Sequence, residues 1–361
     1  MNRIFDITDF GAVGDGQTDC TAAIQAAMDA ASQAGGGVIE VPPGIYSTGM
    51  VHMKTPLLTL HGHFGWGYRT TGLSVLKLND PEAECLLDIT GAYGCTVDGI
   101  SLIGERLGQN VHGIRLDWDK HYREKRSQED TPILTHVRIA HFSGDGIHYN
   151  KVWAYKVEHC MLNHNDGAGL FYNGCDAFVS DTIMIGNKGG GIDGYGKNSS
   201  GCTFTSNRIE WNDVGGLRLR RNTRVNITGN YFDRNFGPGL ELGGPAEDSC
   251  YANITVTGNV FCRNGAISEG RTTALDDPDM CCHLRMTHCR NAVVSGNTYE
   301  TGKNDGGSGE LTPNRAILME DCSYCVVKDN VMDHGYIVTG IEQRGDCTTC
   351  IVKDNPGRPM E

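Results

Sequence analysis

A short phrase recurs through the C-terminal half of this 361-residue chain: Phe204-Thr-Ser-Asn207, Ile227-Thr-Gly-Asn230, Val256-Thr-Gly-Asn259, Val294-Ser-Gly-Asn297, Val327-Lys-Asp-Asn330 and Val352-Lys-Asp-Asn355. Successive Asn positions differ by 23, 29, 38, 33 and 25 (230−207, 259−230, 297−259, 330−297, 355−330), a period near 23 to 25 stretched by insertions. A repeat this short cannot bury its own apolar residues, so neighbours must stack. From about residue 55 each coil reads as three strands. After the Asn turn comes a strand such as Arg208-Ile-Glu-Trp211, then a Gly-rich bend such as Asn212-Asp-Val-Gly-Gly216. The next strand opens on Ile or Leu, as in Leu217-Arg-Leu-Arg220, and a third, such as Val225-Asn-Ile-Thr228, returns to the Asn. The Asn row is expected to be structural, because Asn tolerates left-handed turns and stacked amides can bond from coil to coil.

A solenoid grows by adding coils, so residues 51–361 are expected to form one stacked domain behind a distinct segment, 1–50. The 39% hydrophobic content with 49 Gly and 11 Pro suits a turn-rich β protein. No apolar run approaches the roughly 18 residues of a membrane span, and Met1-Asn-Arg-Ile-Phe5 has no signal-peptide core. A cytoplasmic protein is expected, with no membrane partner. The 15 Cys are spread along the chain, which fits buried free thiols in a reducing compartment. A net charge of −13 argues against nucleic acid as a partner and leaves a neutral sugar open.

Segment 1–50 contains a strong helix former, Thr21 to Ala31, with Ile24, Ala27, Met28 and Ala31 on one face. Thr18 or Asp19 can N-cap it and Gly35-Gly-Gly37 can end it. Such a helix would cover the open end of the apolar stack. The stretch Phe10-Gly-Ala-Val-Gly-Asp-Gly-Gln-Thr-Asp-Cys-Thr-Ala-Ala-Ile-Gln25, with Gly35-Gly-Gly-Val-Ile-Glu-Val-Pro-Pro-Gly-Ile-Tyr-Ser-Thr-Gly49, resembles the N-terminal cap of the pectate-lyase-like superfamily. The resemblance implies an all-β, right-handed parallel β-helix with an N-terminal capping helix, a fold shared by polygalacturonases, other glycosidases, polysaccharide lyases and phage tailspikes. It does not fix the reaction, since one cap precedes several chemistries. Polygalacturonase motifs are missing: Asp276-Asp277 is the one partial match, and it lies in an insertion out of register.

Alternation along a strand puts the residue after each inward Ile or Leu on the outer face. That row reads Arg115, His148, Phe171, Asp193, Arg218, Glu241, Arg285, Leu318 and Glu342; two residues on stand Asp117, Asn150, Asn173, Tyr195, Arg220, Thr287, Glu320 and Arg344. Arg, His, Tyr and both acids together mark a binding surface rather than a solvated face. Cleaving a glycosidic bond takes two carboxyls, about 5 Å apart for retention and roughly 6.5–9.5 Å for inversion. Coils about 4.8 Å apart put Asp193 and Glu241, two coils distant, near roughly 9.6 Å. Asp233, just before the bend that precedes Glu241, offers a second pairing, with Glu210 equivalent to it one coil earlier. The catalytic candidates are therefore Glu241, Asp193 and Asp233. The substrate-binding candidates are His148, Arg218, Arg220, Arg285, Tyr195, Glu210 and Glu342.

Two CxxC pairs, Cys322-Ser-Tyr-Cys325 and Cys347-Thr-Thr-Cys350, stand 21 residues apart, near zinc-ribbon spacing. They recur at the repeat period, and residues i and i+3 on a regular strand face opposite ways, so a corner ladder is the expected reading, with no metal and no cofactor. The functional expectation is a glycoside hydrolase or intramolecular glycosyl transferase acting on an oligosaccharide or polysaccharide, as β-helical fructotransferases and difructose-anhydride hydrolases do. The alternatives are a lyase that eliminates across a uronate with an Arg base, and a non-catalytic, tailspike-like glycan-binding module. Flat sides suit a homotrimer. The insertions Trp118 to Pro132, Gly244 to Ser249 and Ala266 to Asp279 could wall a cleft.

Overall fold

The structure, a computed structural model, describes residues 3–64, 67, 70–119, 128–196, 199–245, 251–267 and 277–360. The central parts of all three insertions lie outside the described residues, as do Cys250 and Asp276. The chain divides into two compact units, residues 1–183 and 184–361.

In the first unit the helix Thr21–Gln33 buries Ile24, Ala27, Met28 and Ala31 completely. Its N-cap is Cys20, with no side-chain hydrogen bond from the cap; Asp19, one residue earlier, accepts from Thr21 N at 3.1 Å. Past the helix Gly35 and Gly36 take φ of 80 and 126 and end it. Strands then stack in parallel in three columns. The column that matters for function runs Cys85–Asp88, His112–Asp117, Ile147–Glu158 and Leu170–Ser180. Its register is Asp88↔Arg115, Arg115↔His148 and His148↔Phe171.

The second unit repeats the three-strand coil, as in Leu217–Arg220, Thr223–Thr228 and Tyr231–Asp233. Its rows are in the expected register: Asp193↔Arg218, Arg218↔Glu241, Glu241↔Arg285, Arg285↔Leu318 and Leu318↔Glu342. The row is not uniformly open, however, since Leu318 is fully buried. No helix among the described residues is long and apolar enough to cross a membrane.

The Asn row is a continuous amide ladder. Asn230 Nδ2 donates to Asn259 Oδ1 at 3.0 Å, Asn259 to Asn297 at 2.9 Å, Asn297 to Asn330 at 2.9 Å and Asn330 to Asn355 at 2.9 Å. Each Oδ1 also receives the backbone N–H of the Asn one coil earlier, as from Asn230 N to Asn259 at 2.9 Å. The left-handed residue is the one before the Asn: Ser206, Gly229, Gly258, Gly296, Asp329 and Asp354 have φ between 56 and 66. The Gly of the Thr-Gly-Asn phrase thus serves the turn, and the Asn serves the stack. A second ladder, Asn187–Asn212–Asn235–Asn264, escaped the sequence reading.

The 14 described Cys are all free. Cys322 and Cys325 are both buried, because Tyr324 between them takes φ 55 and interrupts the alternation that was expected to separate them. No three of the four CxxC sulfurs lie within 4.8 Å of one another.

Asn259→Ala, which leaves both Asn230 donors without their acceptor, should lower stability by about 3 kcal/mol. Asn226→Ala, one coil earlier on the partly exposed outer face, should change it by less than about 0.5 kcal/mol; urea unfolding midpoints of the two variants check the contrast. His283 is completely buried between Phe261 and Tyr299, and burial pushes its pKa from 6.5 down to about 3. The unfolded chain therefore binds this proton first, so the contribution is fully present above pH 6.5 and is lost as pH falls through that value towards 3. His283→Leu should flatten the pH dependence of the unfolding midpoint over that window.

Candidate active site

Two groups of charged side chains stand out, one in each unit. In the first unit a cavity of about 580 Å³ is lined by the loop Pro81, Glu82, Ala83 and Glu84 on one side and Gly108, Gln109 and Asn110 on another. His112, Arg115, Asp117 and His148 also line it. Arg115 and His148 were expected from the outward row. His112 and Asp145 were not, because they precede their strands' inward Ile by two positions, where alternation assigns them inward. The coil bends there, and both side chains join His148 instead.

Their hydrogen bonds fix two different tautomers. The His148 Nδ1 lies 2.8 Å from Asp145 Oδ2, and a carboxylate only accepts, so Nδ1 carries the proton and Nε2 keeps a free lone pair. The His112 Nδ1 receives the backbone N–H of Asp145 at 3.0 Å, and an amide N–H only donates, so the neutral ring carries its proton on Nε2. Burial pushes the His112 pKa from 6.5 down to about 4, despite Asp145 beside it, so at neutral pH this ring is an uncharged donor. The two imidazoles stack at 4.3 Å between centroids, and Phe171 covers His148 from the next coil at 4.8 Å. Asp145 is itself held, its Oδ1 accepting from Ala168 N at 2.8 Å.

His112, Asp145 and His148 are also the one group among the described residues whose donor atoms lie close enough together to hold a metal ion. Each Nδ1 is already committed to Asp145, to its backbone N–H or to its carboxylate. The geometry is that of an acid–base set.

Arg115 supplies the cation. It is ion-paired to Glu84 and, at 2.6 Å, to Asp88, while its Nε has no partner among the described residues. Burial would raise the Asp88 carboxyl, but the hydrogen bond and charge of Arg115 outweigh it and hold Asp88 below the ordinary range. Asp117 accepts from Asn150 Nδ2 at 2.9 Å, and Asn150 in turn accepts from Asn173 at 3.1 Å.

In the second unit the expected carboxylates are committed to guanidinium partners. Both Asp193 oxygens accept from Arg220 Nη2, at 2.5 and 2.8 Å, and Arg220 lies 4.8 Å over the Tyr195 ring. Glu241 accepts from Arg218 Nε at 3.0 Å, with Arg285 at 3.9 Å. Glu342 is held by Arg315 and Arg344, which lower its pKa. Asp193 and Glu241 do stand two coils apart with Arg218 between them. Asp233 belongs to a different group: it is fully buried on the strand Tyr231–Asp233, paired to Arg234 and Arg263 at 2.7 Å each. Glu210, its register neighbour, pairs with Arg208 at 2.9 Å and Arg234 at 3.7 Å. Asp233, paired to Arg234 and Arg263, and Glu241, beside Arg218 and Arg285, thus have different partners and sit on different strand columns.

Residues 98–261 and 145–307 match the family described as right handed beta helix region, and residues 4–62 match rhamnogalacturonase A/epimerase, pectate lyase-like. Over 274 residues, 72% of this chain and 25% of the relative, the sequence is 28% identical to mannuronan C5-epimerase AlgE2 of Azotobacter vinelandii. The chain spans a quarter or less of the length of this and the next curated relatives. Among solved structures, the A-module of the Azotobacter vinelandii mannuronan C-5 epimerase AlgE4 superposes with TM-score 0.69 at 17% identity, covering 99% of this chain and all of that one. A DFA-IIIase from Arthrobacter chlorophenolicus A6 in complex with DFA-III gives 0.67 at 15% identity, covering 98% of each chain. With more than half its length matched, the chain belongs to the right-handed parallel β-helix family and carries a pectate-lyase-like N-terminal cap.

Proposed function

We propose that this protein is a carbohydrate-active enzyme that removes the C5 proton from a uronate residue in a polysaccharide or oligosaccharide. The observation that carries the reading is the pair of imidazoles held in opposite tautomers around Asp145, beside Arg115. The C5 hydrogen of a uronate is acidified by the adjacent carboxylate, and a cation against that carboxylate acidifies it further. In this scheme His148 Nε2 takes the C5 proton and the electron pair moves into the carboxylate, where Arg115 balances the added charge. The neutral Nε2–H of His112 donates to the developing oxyanion, as neutral histidines with lowered pKa do elsewhere. Delivery of a proton from water to C5 on the opposite face, with the proton on His148 passing to solvent, gives the epimer. Breakage of the C4–O bond instead gives a C4=C5 double bond, and the departing oxygen takes up a proton from water while His148 returns its own to solvent. The similarity to mannuronan C5-epimerases favours the first outcome.

Hydrolysis through Asp193 and Glu241 is the second reading, supported by their two-coil spacing and by the fold shared with a DFA-IIIase. It requires Arg220 and Arg218 to release the very carboxylates that would do the chemistry, whereas the base of the first scheme, His148 Nε2, already has its lone pair available.

Incubation with polymannuronate, polyguluronate and polygalacturonate in D2O separates these readings. The proposal expects deuterium at C5 by NMR, with ultraviolet absorbance of an unsaturated product only if elimination follows. Asp145→Asn, which can present its amide N–H to His148 Nδ1 and move the ring proton to Nε2, should reduce exchange by roughly 10²- to 10⁴-fold. His112→Gln should cost about 10²-fold. New reducing ends without deuterium, abolished by Glu241→Gln and untouched by Asp145→Asn, would establish hydrolysis instead.

A further inference from the structure

We infer that Glu84 is a resident counter-anion occupying the seat of the substrate carboxylate, so that a uronate binds by exchange for it at Arg115; this rests on the uronate reading above. The two carboxylates on Arg115 differ in kind. Asp88 is 2% exposed and lies in register beneath Arg115 on the adjacent coil, bonded at 2.6 Å, and Thr90 N donates to its other oxygen at 2.9 Å. It is built into the wall. The Glu84 side chain is 52% exposed, against 6% for Arg115, and it sits at the end of the loop that forms one side of the cavity. One partner is enclosed by the wall and the other faces water.

Charge balance argues for exchange rather than addition. Among the described residues the cavity lining contributes carboxylates at Glu82, Glu84 and Asp117 but a single guanidinium, with Asp88 directly behind it. A uronate entering beside Glu84 would put another negative charge against those already sharing one cation, whereas replacing Glu84 leaves the local count unchanged. A swung-out Glu84 also gains water, since half its surface is already wet, and a neutral sugar entering the cavity has no reason to displace it. Glu84 would thereby raise the threshold for anions as a class and favour those uronates whose other contacts make up the loss, which is specificity by competition.

Calorimetric titration of the full chain with sodium mannuronate and sodium galacturonate, and with mannose as the neutral control, tests this. For Glu84→Ala and the near-isosteric Glu84→Gln the Kd for uronates should fall by about 3- to 10-fold, with mannose unaffected, and Arg115→Gln should abolish uronate binding. If neither variant tightens uronate while wild-type C5 exchange is intact, the role of Glu84 falls and the uronate chemistry stands. If no form binds uronate and no exchange occurs, the uronate reading falls and takes this inference with it. Tightening without exchange leaves the carboxylate seat in place and removes only the proton chemistry.

Discussion

Everything in this molecule follows from parallel stacking in register, which sets each residue directly above its counterpart at about 4.8 Å. That spacing suits an amide ladder, where each Asn side chain donates and accepts once along the stack and satisfies buried backbone groups on the way. It punishes like charges, and the rows of the second unit answer by alternating: Arg218, Glu241 and Arg285 succeed one another on adjacent coils. Desolvation weakens the charge on Arg218, yet Glu241 and Asp193 outweigh it and leave its pKa raised. Such partly buried pairs add little net stability but are costly to break singly, so they fix side chains in place.

The same spacing builds the candidate site of the first unit. His112 and Asp145 occupy equivalent positions on neighbouring coils, and His148 and Phe171 are register partners. No loop folding over the top is needed to bring a base, its orienting carboxylate and a second imidazole together. Stacking does so, with Gly113 admitting the close coil contact: a Cβ there would lie 2.5 Å from Gly146 O. A rigid scaffold of this kind holds tautomers as well as positions, because each Nδ1 meets a group that can only donate or only accept.

Much of this was legible in the sequence, for reasons that lie in single residues. Strand alternation correctly ordered Arg115 against His148 and Arg218 against Glu241, because it depends only on the two-residue period. It failed at bends. His112, Asp145, Cys322 and Cys325 sit where a strand ends or a left-handed residue such as Tyr324 interrupts it, and there the side-chain direction is set by φ rather than by parity. A usable signal was present in His112-Gly-Ile-Arg115 and Asp145-Gly-Ile-His148, the same phrase with chemistry at both ends. Partner choice was the other illegible quantity. Asp193 and Glu241 resembled a hydrolytic pair by spacing alone, and the orientation of Arg220 and Arg218 towards them cannot be read from one dimension.

The central claim is that His148 and His112 are fixed in opposite tautomers, one offering a lone pair at Nε2 and the other a proton. Nitrogen-15 NMR of the histidine-labelled protein at neutral pH tests it directly, with His112→Gln and His148→Gln assigning the resonances. The account predicts that His148 is protonated at Nδ1 and His112 at Nε2. Both rings in the same tautomer, or His148 protonated at Nε2, would contradict it.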